Sequence, residues 1–117
     1  MAVARFQIYR SADDAVTWRF LSANNRSLGQ AAQRFVDADA CSRAMVELRA
    51  KLTEISATTA RETPSQLWSW RVRLAGLDLA VSSRKYHRRV QAQYACRSFL
   101  GLVADAQLAD LPRVVHF

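Results

Sequence analysis

Two widely separated stretches of this chain alternate apolar and polar residues, and each opens on tryptophan followed by arginine. Trp18-Arg19-Phe20-Leu21 is the first and Trp70-Arg71-Val72-Arg73 the second. A period of two puts the tryptophans on one face of a strand and the arginines on the other. After each strand come a turn, a second apolar stretch, an aromatic (Phe35, then Tyr86) and a long amphipathic segment. The apolar positions of that segment are Cys41, Ala44, Met45, Leu48 and Leu52 in the first copy. In the second they are Ala92, Ala95, Cys96, Phe99 and Val103. Each of these pairs is 51 positions apart and the tryptophans are 52 apart, so the second turn is one residue shorter. A repeat of this length is a supersecondary unit too small to bury its own apolar face.

Read in order, the pattern predicts a strand over Val3 to Arg10, with Phe6 and Ile8 on one face and Gln7 and Tyr9 on the other. Ser11 to Asp14 is a turn, Val16 to Ala23 the next strand, and Asn24 to Ser27 a hairpin turn in which Asn tolerates positive φ. Leu28 to Phe35 is a third strand. Asp37 is the expected N-cap, and Asp39 adds an acid in the first turn of a helix whose apolar stripe runs on to Ile55. The polar stretch Ser56 to Ser65 is the seam between the copies, with room for one short strand. Trp68 to Leu74 is the clearest strand of all. Ala75 to Asp78 is the following turn, Leu79 to Tyr86 a strand, and Val90 to Ala109 a helix ended by Leu111-Pro112. Arg113 to Phe117 is β-prone.

At 117 residues, half of them apolar, the chain is expected to be one domain of two repeats, about 1–57 and 58–117. The longest apolar-rich run, Phe99 to Ala104, is far short of the roughly 20 residues of a spanning helix. Met1 to Phe6 passes straight into a strand without an apolar leader, so the expectation is a cytoplasmic protein with no membrane association. Cys41 and Cys96 fall on predicted helix faces and suggest no disulfide framework.

The ordered set of Phe6-Gln7-Ile8-Tyr9, Trp18-Arg19-Phe20, Asn24-Asn25 and Phe35, followed by Trp70-Arg71, Ala75-Gly76 and Tyr86, resembles the YegP-like family of small bacterial proteins of unknown function. The resemblance covers nearly the whole chain. It implies an α+β fold in which two tandem βββα(β) repeats form a single antiparallel sheet. Both helices would lie on one face, and the C-terminal strands would be exchanged between the halves. Two departures stand out. Asn24-Asn25 replaces the family's common Asn-Gly, and only Thr58 to Glu62 could supply a first strand for the second copy. The family has no established activity, so the resemblance implies a fold and not a function.

The net charge is +7, with +2 on residues 1–60 and +5 on residues 61–117. Such an excess suits nucleic acid, an anionic surface or an acidic partner. An Arg-favouring coding bias also accounts for 15 Arg against two Lys. Two sets of cations are the candidates for anion or nucleic-acid binding. Arg19, Arg71 and Arg73 would stand on the open sheet face, while Trp18 and Trp70 fill the core rather than stack bases. Arg84, Lys85, Arg88 and Arg89 crowd the start of the second helix, where cations oppose the helix dipole and free N–H groups attract anions. His87, His116 and the two cysteines have no metal-ligand spacing, Ser82-Ser83 has no nucleophile elbow, and no phosphate-binding glycine loop exists. No cofactor and no enzymatic activity are expected. The reading is a protein-interaction or structural module whose partner the sequence does not name. The alternative is a nucleic-acid- or anion-binding module. Internal duplication would make a monomer self-sufficient, and a dimer stays open.

Overall fold

In the computed structural model, which describes residues 3–106 and 115–116, three strands and a helix are followed by three strands and a second helix. The first set is β1 (Arg5–Arg10), β2 (Val16–Leu21), β3 (Ser27–Ala31) and α1 (Ala38–Ala50). The second is β4 (Ser56–Arg61), β5 (Trp68–Leu74), β6 (Leu77–Ser82) and α2 (Arg89–Asp105), with a short β7 (Val115–His116) after it. The architecture is α+β: one open sheet in the order β4-β5-β6-β3-β2-β1-β7 with two helices.

The registers of the two halves correspond. Ile8 stands opposite Trp18 in β1–β2, and Thr59, 51 positions after Ile8, stands opposite Trp70 in β4–β5. Both inner hairpins carry the same irregularity, after Phe20 in one and after Val72 in the other. Each gives its second strand one extra residue, Leu28 or Leu79. The halves join where β3 pairs antiparallel with β6, at Gly29↔Ser82, Gln30↔Val81 and Ala31↔Ala80.

The core lies between sheet and helices. Trp18 and Trp70 are each 1% exposed, and Phe20, Phe99, Met45, Leu48, Val72 and Val103 are fully buried with them. Phe99 of α2 reaches across the middle, 5.6 Å from Phe20 of β2 and 4.8 Å from Trp70 of β5, centroid to centroid. That crowding leaves no room for a side chain at position 29. A Cβ on Gly29 would stand 2.8 Å from the Trp70 ring and 2.9 Å from the Phe99 ring.

Several sequence expectations need correction. α1 stops at Ala50, not Ile55; Leu52 and Ile55 still pack on the core, from the turn that leads to β4. β3 ends at Ala31, and Phe35 instead forms an isolated antiparallel bridge with Val16, as Tyr86 does with Trp68. Leu77 and Asp78 belong to β6, because Ala75 (φ 51) and Gly76 (φ 82) already complete a two-residue turn with both residues left-handed. The sheet is not wholly antiparallel either, since β7 pairs with β1 in parallel, Tyr9↔Val115 and Arg10↔His116. The expected continuation of α2 to Ala109 and its stop at Leu111-Pro112 lie outside the described residues.

Candidate interaction surfaces

On the sheet face opposite the helices, the registers align one row across six strands: Gln7, Arg19, Gln30, Val81, Arg71 and Thr58. Arg19 and Arg71 stand three strand spacings apart in it, about 14 Å. Neither offers an unengaged charge. Arg19 Nε donates to Gln7 Oε1 at 2.6 Å, and its guanidinium lies 5.1 Å from the centroid of the Tyr9 ring. Arg71 Nη1 donates to Asp78 Oδ2 at 3.0 Å and Arg73 Nε to Asp78 Oδ1 at 2.6 Å, so one carboxylate straddles both arginines.

The cations before α2 form a separate group on the loop out of β6. Tyr86 is anchored by its backbone, which exchanges hydrogen bonds with Trp68 at 2.6 and 2.8 Å. Burial pushes its hydroxyl above the ordinary tyrosine range, against the pull of Arg84. The buried Trp70 indole N–H lies near that hydroxyl and pulls it down as well, without a partner at full hydrogen-bond geometry among the described residues. Lys85 Nζ donates to Glu62 at 2.6 Å, and this bond is the main cause that holds the Glu62 carboxyl below its usual range. Arg88 is the N-cap of α2. It supplies no side-chain cap, and its own N–H donates to Gln91 Oε1 at 3.1 Å. Arg89 leans back over β4, with Nε donating to Thr59 Oγ1 at 3.3 Å and the guanidinium 5.9 Å from the Trp68 ring. Thr59 faces the helix side beside Trp70, whereas Arg71 and Arg73 face away from it. The seven cations therefore do not converge on one site.

The two cysteines sit in the core, one on each helix. Burial pushes the Cys41 thiol up to about 12 and the Cys96 thiol to about 11, so both stay protonated and unreactive. No group of three His, Cys, Asp or Glu that could hold a metal occurs among the described residues. No helix there is long and apolar enough to cross a membrane.

A further feature is the outer edge of the sheet at β4, which no strand covers among the described residues. β4 is the outermost strand; five of its six residues are exposed, and its pairing with β5 runs unbroken from Ser56↔Arg73 to Arg61↔Trp68. Trp68 spends its N–H and C=O on Tyr86, and strand alternation then turns those of Ser69, Arg71 and Arg73 toward β4. In β4 it is Ala57, Thr59 and Arg61 whose backbone groups point outward, with no strand against them among the described residues. Natural edges are blunted by Lys, Pro or a bulge. Ser-Ala-Thr-Thr-Ala-Arg has no Lys, Pro or bulge, and its one charge, Arg61, stands at its last position.

Beside this edge, between β4 and α2, runs a groove of about 520 Å³ lined by Ala57, Thr58, Thr59, Arg89, Gln93, Cys96 and Arg97. It exists because β4 presents Ala57 and Thr59 where β1 has Phe6 and Ile8, which are buried in the core. That substitution was the available signal: at the 51-residue offset, two large apolar residues become small or polar.

Two solved structures share this arrangement of strands and helices. One is the NMR structure of yegP from E. coli, a protein of unknown function, with a TM-score of 0.66 at 11% identity over 99% of this chain and 94% of that one. The other is the UPF0339 protein SO3888 from Shewanella oneidensis, with a TM-score of 0.70 at 8% identity over 99% and 92%. The resemblance to YegP is one of fold. No protein-family model and no curated protein sequence matches the chain. At such identities a common fold carries no activity or partner with it.

Proposed function

We propose that this chain is a non-enzymatic protein-interaction module, arisen by internal duplication, that binds its partner by adding a strand to the edge of β4. The uncovered β4 edge carries this reading. The equivalent edge in the first half, β1, is paired with β7, which follows α2 in the chain. The corresponding edge of the second half is a strand of the same length, with no strand paired to its outer side among the described residues. Strand addition supplies affinity through main-chain hydrogen bonds, and pockets beside the edge supply selectivity.

The nucleic-acid alternative draws less support, because Asp78 and Glu62 already engage Arg71, Arg73 and Lys85. Of the cations singled out in the sequence, Arg89 is the one that enters the present reading.

Selection of a random displayed peptide library on the protein tests it. Enriched peptides are expected to shift the amide resonances of Ala57, Thr59 and Arg61. Binding should be lost in Ala57→Pro, which removes one outward donor and leaves the β5 ladder intact. Peptides that shift other residues, or that bind the proline variant equally well, would refute strand addition at β4.

A further inference from the structure

Resting on that reading, we infer that the segment received at β4 is an acidic one, laid parallel to β4 with a carboxylate seated between Arg89 and Arg97. The direction comes from the molecule itself. β7 lies parallel to β1, and β1 and β4 occupy equivalent places, each paired antiparallel with its tryptophan strand. The outward groups of β4 repeat those that β1 offers to β7, so the same direction of approach satisfies them.

The chemistry of the partner follows from the groove. Most acids near the sheet are committed to cations elsewhere: Asp78 to Arg71 and Arg73, Glu62 to Lys85, Asp14 to Arg10, Asp13 to Arg34. Arg89 and Arg97, which line the groove, have no carboxylate partner among the described residues, and Arg89 is held in place by Thr59 and the Trp68 ring. They are eight residues apart on α2, so with Gln93 they form one ladder along the helix face that borders β4. The 51-residue offset maps Arg89, Gln93 and Arg97 onto Ala38, Ser42 and Val46 of α1. The helix on the side where β7 pairs with β1 carries no cation at these three places. The helix on the side of β4, beyond which no described strand lies, carries two. Two guanidinium groups beside an edge that no described strand covers favour a carboxylate through charge-assisted, often bidentate hydrogen bonds. A second copy of the chain fits poorly, since each copy carries +7 and would bring like charge to like charge.

The test uses three end-capped octapeptides that alternate valine with glutamate, glutamine or lysine, titrated into the isotopically labelled full chain. The glutamate peptide is expected to shift Ala57, Thr59 and Arg61 and to bind about tenfold or more tighter than the glutamine peptide, with the preference weakening in salt. Arg97→Gln, at an exposed position, should bring the two peptides close to parity while the fold is retained. A nitroxide at the peptide's N-terminus should broaden Ser56 and Ala57, and one at its C-terminus Arg61. Equal binding of the glutamate and glutamine peptides at β4, or a preference that survives Arg89→Gln with Arg97→Gln, would overturn the acidic partner and leave strand addition standing. The reverse broadening pattern would overturn the parallel direction. If no peptide shifts β4 and the protein alone self-associates through those amides, a second copy is the occupant and this inference fails.

Discussion

Gly29 and Phe99 solve one packing problem together, and their counterparts solve it differently. In the second half the strand position equivalent to Gly29 is Ala80, and the helix residue equivalent to Phe99 is Leu48, both fully buried. A larger helix side chain is matched by a smaller strand residue. Gly29→Ala would press a methyl group to within 2.8–2.9 Å of Trp70 and Phe99, neither of which has a free end to yield. A loss of about 1–3 kcal/mol is expected, the usual cost of overpacking. Adding Phe99→Leu should recover part of that loss, although Phe99→Leu alone destabilises. A denaturant-melt double-mutant cycle measures the coupling, and strictly additive losses would show that the two residues do not share the space.

Elements with a strong period were legible in the sequence, and those held by tertiary contacts were not. The tryptophan strands, the β1 face of Phe6 and Ile8, and the Asp37 cap all fall where alternation and capping chemistry put them; the Asp37 carboxylate accepts from the Ala40 N–H at 2.8 Å. The α1 stripe misled by continuing past the helix, because Leu52 and Ile55 reach the same core from a turn. β4 was legible only as room for a strand: Ala57 and Thr59 make no apolar pattern, and the edge exists because β5 needs a partner. Pairing of Arg71 and Arg73 with Asp78 was invisible for a related reason, since it depends on a turn register that brings position 78 across the hairpin. The caps of the two helices yield a prediction at this scale. Arg88 has extended backbone like Asp37 but no capping side chain and the wrong charge for a helix N-terminus. Arg88→Asp should therefore stabilise the protein by about 1 kcal/mol, roughly 4 °C in Tm, through a new cap and removal of a dipole-opposed cation. An unchanged or lower melting temperature would mean that the existing Gln91 contact already satisfies this end.

At the scale of the whole molecule, the halves are bound by contacts that neither can replace. β3 has β6 as its outer neighbour, Phe99 from α2 covers Phe20 of β2, and β7 returns from beyond α2 to β1. Arg49 in the last turn of α1 donates to the Ala104 and Ala106 carbonyls at 3.0 Å, capping α2 from the other half. A fragment of residues 1–55 would bare both the β3 edge and the apolar surface around Phe20 and Gly29. Burial of such surface is worth about 25 cal/mol per Å², so a unit of this size deprived of it has little net stability left. The fragment should be self-associated or unfolded, and residues 56–117 likewise. Mixed in equal amounts, the two should recover one cooperative melt, because the cut at Ile55-Ser56 falls between α1 and β4 and breaks no ladder. Sedimentation and thermal melting decide the matter. A reversible, monomeric melt from either fragment alone would mean that each half owns a core, and the continuity of the sheet across β3 and β6 would then contribute little to stability.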